Sequence, residues 1–187
     1  MRLMIIGPQG AGKGTQATRI CAELGVPHIS TGDLFRENIN GDTDLGRLAK
    51  TYMDAGQLVP DEVTQQMVAH RLEHHDAGGG FLFDGFPRNT GQARWLSALL
   101  LDHQTPIERV VLLTAPDEVL VERMLARGRA DDTVEAIRQR LDIYHAETLP
   151  LVEYYGDLVV LVDGVGDVDD VHERVLKALG LPGPESG

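Results

Sequence analysis

An apolar run, Leu3-Met4-Ile5-Ile6, breaks into Gly7-Pro8-Gln9-Gly10-Ala11-Gly12-Lys13-Gly14-Thr15, and an amphipathic stretch follows at once. Few architectures accept that order of strand, glycine-rich turn and helix. The spacing from Gly7 to Gly12-Lys13 matches a loop that cradles phosphate. Glycines let successive backbone N–H groups turn inward and approach an anion closely. The helix that follows adds its positive N-terminal end, and Lys13 adds a point charge. Such loops usually place Ser or Thr directly after the lysine, to hold a metal ion. Here that position is Gly14, with Thr15 one step later.

Four further apolar runs read as strands beside Arg2–Ile6: His28–Ser30, Phe81–Phe83, Arg109–Leu113 and Leu158–Val162. Runs that are apolar throughout suit strands covered on both faces of a parallel sheet. Helical patterns lie between them: Gly12–Leu24, Asp33–Asn40, Leu45–Ala55, Asp61–Glu73, Thr90–Leu101, Asp117–Ala126, Thr133–Tyr155 (interrupted near Pro150) and Asp167–Leu179. Strands alternating with helices predict an α/β, doubly wound fold. Thr31 to Glu73 holds no strand and is far longer than one crossover helix needs, so it is expected to form a small helical insertion. The tail 182–187, Pro-Gly-Pro-Glu-Ser-Gly, is expected to be disordered.

Composition narrows the function classes. The formal net charge is −12, from 17 basic and 29 acidic residues, a balance that repels nucleic-acid backbones. No apolar stretch is long enough to span a bilayer, and the N-terminus runs straight into a strand without a signal-peptide pattern. The single cysteine, Cys21, excludes an intrachain disulfide and a multi-cysteine zinc site. A cytoplasmic location is expected. His70, His74 and His75 read as a solvated helix end, Arg47 and Arg138 as surface charges, and Trp95 and Tyr144 as packing residues.

Four more segments carry polar chemistry at element ends. Ser30-Thr31-Gly32-Asp33-Leu34-Phe35-Arg36 follows the second strand, and Gly56-Gln57-Leu58-Val59-Pro60-Asp61 closes the helical insertion. Phe83-Asp84-Gly85-Phe86-Pro87-Arg88 ends the third strand, with Gln92 one helical turn on. Arg123, Arg127, Arg129 and Arg140 flank a short loop at Gly128 with Asp131-Asp132. With Gly-Pro-Gln-Gly-Ala-Gly-Lys-Gly-Thr, these motifs resemble the adenylate kinase family, in the family's order, from Met1 to about Leu181. Gly14 after the lysine is part of the likeness.

The resemblance implies a five-stranded sheet in the order 2-3-1-4-5, a single kinase domain over 1–181, an AMP-binding insertion at 30–59 and a lid over ATP. It implies a monomer that transfers a phosphoryl group reversibly, ATP and AMP giving two ADP, and so serves purine nucleotide homeostasis. By match to the motifs, Gly10, Ala11, Gly12, Lys13, Gly14 and Thr15 wrap the ATP phosphates. Arg123 and Arg127 face ATP, and Gly166 lies near its adenine. Thr31, Arg36, Gln57, Leu58, Val59, Gly85, Phe86, Pro87, Arg88 and Gln92 hold AMP. Arg129 and Arg140 reach the phosphates between the nucleotides. Lys13, Arg88, Arg123, Arg129 and Arg140 are the expected catalytic cations.

The residues make chemical sense of that assignment. The attacking phosphate oxygen of AMP is already ionised, so the reaction needs no general base; it needs positioning and neutralised charge. With no hydroxyl directly after Lys13, Mg²⁺ is expected to be held by phosphates and water, with Asp33 and Asp84 gripping the waters. Arg127 and Arg129 are two residues apart, which leaves room only for a short lid at 126–132 and none for a zinc-bearing insertion. Thr31 and Gln92 favour AMP over UMP or CMP as acceptor. The joint presence of Arg88, Arg129 and Arg140 favours an enzyme over a nucleotide sensor.

Overall fold

The computed structural model describes residues 1–54, 59–128 and 132–183. Within them the strands are β1 (Arg2–Ile6), β2 (His28–Ser30), β3 (Phe81–Asp84), β4 (Arg109–Thr114) and β5 (Val159–Asp163). The helices are α1 (Lys13–Leu24), α2 (Thr31–Asn40), α3 (Asp44–Asp54), α4 (Asp61–Leu72), α5 (Thr90–Asp102), α6 (Asp117–Arg127), α7 (Val134–Ile143), α8 (Leu151–Tyr155) and α9 (Val168–Leu179). The five strands form one parallel sheet in the order β2-β3-β1-β4-β5, with Ile5 opposite Asp84 on one side and Val111 on the other. The α/β fold and the strand order expected above are both found.

Alternation along each strand sends side chains to two cores. Leu3, Ile5, Leu82, Val111, Leu113 and Val162 pack with α1, α6, α7 and α9; Met4, Ile6, Ile29, Phe83, Val110 and Leu112 pack with α2, α4, α5 and α8. Each large side chain so buried contributes about 1.5–3 kcal/mol. The chain leaves β1 toward β2 and leaves β3 toward β4, in opposite directions, with α1 and α5 on opposite faces. Such a reversal opens a crevice at the carboxyl ends of the strands.

Helices α2, α3 and α4 share a third, smaller cluster: Ala49, Val63 and Met67, with Phe35, Leu45 and Val59 packed against it. The approach of α3 to α2 depends on Gly46, where a Cβ would lie 2.1 Å from the Asn38 carbonyl oxygen. On the other side of the molecule, His172 of α9 locks onto α1. Its Nδ1 lies 2.9 Å from Gln16 Oε1 and its Nε2 3.1 Å from Glu23 Oε1, while Gln16 Nε2 donates to the Val168 carbonyl at 3.0 Å. Among the described residues no helix is long and apolar enough to cross a membrane.

Several boundaries differ from the sequence expectation, each for a local reason. Helix α2 starts at Thr31, because the Ser30 hydroxyl accepts the Asp33 N–H and caps it two residues earlier than the apolar pattern indicates. Helix α5 runs one residue past the pattern, to Asp102, and Asn89 caps its start, its side chain accepting from the Gln92 N–H. The long pattern 133–155 is broken twice: Thr133 caps α7, a π-helical turn spans Tyr144–Thr148, and α8 resumes after Pro150. The Gly78-Gly79-Gly80 segment closes a 3₁₀ turn, His75–Gly79, before β3.

Candidate functional site

At the end of β1 the chain turns through residues 7–12 into α1. The turn lies hard against β4, since a Cβ at Gly7 would sit 2.4 Å from the Leu113 carbonyl oxygen. Gly12, in the left-handed region, is the N-cap of α1, so Lys13, Gly14 and Thr15 form the helix's first turn. Their N–H groups have no partner one turn earlier within the helix and are open to an anion. The Lys13 ammonium folds back over the turn and donates to the Pro8 carbonyl at 2.9 Å. Burial lowers its pKa from the ordinary 10.5 to about 8; Asp84 opposes the shift, and Arg88 and Arg127 push with it. One ammonium therefore feels the end of β3, the loop after it and the end of α6.

Asp84 ends β3 with its side chain 15% exposed, and a Cβ at Gly14 would lie 3.6 Å from its Oδ2. A bare glycine after the lysine thus leaves open the space beside this carboxylate. His28 Nε2 lies 3.4 Å from the same oxygen. Asp33, in the first turn of α2, is ion-paired with Arg36 one helical turn on. That pairing chiefly holds its carboxyl below the usual carboxylate range, with smaller contributions from Ser30 and His28. Asp33 and Asp84 therefore differ: Asp84 borders the glycine-rich turn, whereas Asp33 is committed to an arginine.

The loop between β3 and α5 gathers the next group. Gly85 offers its carbonyl to the Thr31 hydroxyl at 3.1 Å and to Arg88 Nε at 2.9 Å. The Arg88 backbone is held at both ends: its N–H donates to Gln92 Oε1 at 2.8 Å, and its carbonyl accepts the Thr148 hydroxyl at 2.8 Å. Thr148 belongs to the π-helical turn, so that irregular turn reaches across to the loop. Thr31 and Gln92 are buried. The Phe86 ring is 1% exposed and packs against Phe83 and Trp95, so any ligand contact there comes from its backbone. Pro87, joined to Phe86 by a cis peptide, is buried as well. Val59 packs against the small helical cluster.

Arg127 of α6 and Arg140 of α7 meet at Asp132. Asp132, with its side chain 1% exposed, accepts Arg127 Nε at 3.0 Å, Arg127 Nη2 at 2.9 Å and Arg140 Nη1 at 3.0 Å. Arg123 instead bridges two loops, donating from Nη1 to the carbonyls of Gly164 at 3.0 Å and Gly10 at 3.4 Å. It thereby ties the glycine-rich turn to the β5–α9 loop that carries Gly166. Arg174 braces the same loop from α9, donating to the carbonyls of Asp163 and Val165 at 2.8 and 2.7 Å.

The structure thus brings Gly10–Thr15, Asp84–Arg88, Arg123, Arg127, Gln92 and Thr31 to the ends of β1 and β3, with Arg140 joined through Asp132. Gln57, Leu58 and Arg129, parts of the expected lid at 126–132 and insertion at 30–59, and the last tail residues, 184–187, lie outside the described residues. Among the described residues no group of three or more His, Cys, Asp or Glu side chains is arranged to hold a metal ion. Sequence reasoning gave no individual role to Asp132, Asp61 or Thr148. Only the acidic Asp131-Asp132 pair beside the arginines hinted at the first.

A family model described as "Adenylate kinase" matches residues 5–159. Relatives bearing that name include one from Nocardia farcinica, 54% identical over 96% of this chain and 99% of its own length. One from Corynebacterium aurimucosum is 54% identical over the same shares. One from Kocuria rhizophila is 53% identical over 95% of this chain and 98% of its own length.

Proposed function

The chain belongs to the adenylate kinase family, whose reaction moves a phosphoryl group reversibly between ATP and AMP to give two ADP, and on that premise we propose how its own residues divide the work. The glycine-rich turn, Gly10 to Thr15, takes the donor phosphates on its N–H groups, with Lys13 turning from the Pro8 carbonyl onto the outer phosphates. Arg123 and Arg127 face the same nucleotide, and the backbone at Gly166 lies at its adenine. The acceptor AMP lies on Thr31, Arg36, Gln57, Leu58, Val59, Gly85, Phe86, Pro87, Arg88 and Gln92. Arg88, Arg129 and Arg140 stand between the two nucleotides.

One observation carries this reading: Lys13 at the end of β1 and Arg88 after β3 are close enough for the guanidinium to disfavour the charged ammonium, Asp84 lies between the two in sequence and acts on both, and the two strands are neighbours. Two polyanions docked on these two strand ends meet where the cations are densest. The acceptor oxygen is ionised before it arrives, so no residue need take a proton. The protein's task is to hold both phosphates in line, exclude water and neutralise charge that spreads over the transferred group.

Adenylate kinases use Mg²⁺ with ATP, and the metal adds positive charge at the phosphates. Asp84 fits a place in its water shell, being a partly buried carboxylate beside the glycine that opens α1. Asp33 takes the same role only by sharing its charge with Arg36. The reading is of a cytoplasmic monomer working as one domain over 1–181, with 30–59 closing over AMP and 126–132 over ATP. The net charge of −12 argues against a nucleic-acid partner.

The test is an acceptor panel: purified protein, ATP and Mg²⁺ with AMP, GMP, UMP or CMP, followed by diphosphate formation. AMP is expected to exceed every other acceptor by about 10²-fold or more in kcat/KM, because a site built on specific hydrogen bonds rejects bases that leave them unmade. A pyrimidine preference overturns the assignment of Thr31 and Gln92. ATP binding without transfer to any acceptor overturns the reading as a whole.

A further inference from the structure

Gln92 is 5% exposed, and both ends of its amide are committed. Its Nε2 donates to Asp61 Oδ1 at 2.6 Å, and its Oε1 accepts the Arg88 N–H at 2.8 Å. Asp61 is held in turn, its Oδ2 accepting Asn89 Nδ2 at 3.0 Å. Asn89 caps α5 through the Gln92 N–H, so Asp61, Asn89 and Gln92 form a closed ring of hydrogen bonds between the first turns of α4 and α5.

The chemistry of the partners decides which way the amide faces. A carboxylate only accepts and a backbone N–H only donates. Turned end for end, Gln92 would set its oxygen against the Asp61 carboxylate and its NH₂ against the Arg88 N–H, losing two hydrogen bonds in a buried place. One N–H and one lone pair of Gln92 then remain, in a fixed order. A Gln amide with donor and acceptor in that state is the natural reader of adenine, which shows an amino donor next to a ring-nitrogen acceptor. A 6-oxopurine shows the reverse, a carbonyl acceptor next to an N–H donor, and is matched only by the turned amide.

We propose that Asp61 is a specificity-determining residue that acts through Gln92: by forbidding the turned amide, it makes the acceptor site reject 6-oxopurine nucleotides. Asp61 is a positioning residue in this scheme and touches neither nucleotide. The proposal rests on the assignment of Gln92 to the base of AMP. IMP is the discriminating probe, because it differs from AMP only in carrying oxygen in place of the amino group, with a proton on the adjacent nitrogen.

The experiment measures kcat/KM for AMP and for IMP, at saturating ATP, in the wild type, Asp61→Asn, Asp61→Ser and Gln92→Leu. An Asn or Ser at 61 can donate as well as accept, so the penalty at Asp61 against the turned amide is removed and only the one at the Arg88 N–H remains. The AMP-to-IMP ratio is expected to fall about tenfold or more in both Asp61 variants, through a lower KM for IMP, with the KM for ATP unchanged. Having two variants keeps the ratio measurable if one fails to fold. A purely structural role lowers both acceptors alike and leaves the ratio at its wild-type value, which overturns the proposal. Gln92→Leu separates the two ways of failing. If it abolishes the preference while the Asp61 variants keep it, the role of Asp61 is wrong; if it leaves the preference intact, the assignment of Gln92 is wrong.

Discussion

Lys13→Met is expected to lower kcat about 10³-fold, with melting at pH 7 at or above the wild-type temperature. The two effects have one cause. Burial depresses the Lys13 pKa to about 8, because the folded protein strips water from the ammonium before any phosphate replaces it. With a folded pKa below the unfolded value, the folded state binds fewer protons between about 8 and 10.5, so this group's contribution to stability rises with pH across that window. At pH 7 it is a penalty, and methionine removes it. The same residue supplies the charge that the transferred group needs, a trade of stability for activity placed at one atom. A pH signature accompanies the mutation. Phosphates favour the ammonium, so ATP affinity in the wild type weakens as pH rises through about 8, where ATP itself is fully ionised. Calorimetric titration between pH 7 and 10 shows that decline in the wild type and a flat line in Lys13→Met.

Arg88→Ala is expected to reduce kcat about 10²- to 10⁴-fold while ATP affinity stays within a few-fold of wild type. The structure spends three hydrogen bonds on this residue: the N–H on Gln92, the carbonyl on Thr148, and Nε on Gly85, whose carbonyl also accepts the Thr31 hydroxyl. The backbone is clamped on both sides and Nε is placed on Gly85, so the guanidinium needs little rearrangement when the substrates arrive, which is the condition under which a charge stabilises a transition state cheaply. Arg88→Lys should recover only a small part of the loss, because a point charge on a flexible stem lacks the planar fork. Single-turnover kinetics, with ATP affinity measured alongside, separate this result from a binding defect; a variant with normal kcat and raised AMP KM contradicts the catalytic role and leaves Arg88 as an AMP contact only.

Much of this was legible in the chain, and the rest was hidden for identifiable reasons. The inner strands stood out because they are buried on both faces: Leu3 to Ile6 read as strand without any partner in view, whereas the edge strand β5, expected to be covered in the same way, leaves Leu161 68% exposed. The glycine-rich turn was legible because its chemistry is local, with Gly7 through Thr15 contiguous. The sheet order came from the likeness to a family, since no pattern within β1 says that β3 and β4 are its neighbours. The roles of Asp61 and Thr148 could not be read, because their partners lie 31 and 60 residues away. Neither residue type is unusual where it stands. Asp132 shows the same limit: its place beside the arginines hints at a partner, but nothing local says that the fold buries its carboxylate between Arg127 and Arg140. The π-helical turn at Tyr144–Thr148 has no local signature either, and it is the turn that carries Thr148 to Arg88.

The central claim is that phosphate passes straight from one nucleotide to the other across the cations at the ends of β1 and β3. Following the label from γ-labelled ATP, with AMP and Mg²⁺ over a single turnover, tests it directly. The account predicts that the label appears in the β-phosphate of the ADP formed from AMP, with none released as inorganic phosphate and none carried on the protein. Label trapped on a side chain, or lost to water faster than it reaches AMP, contradicts it.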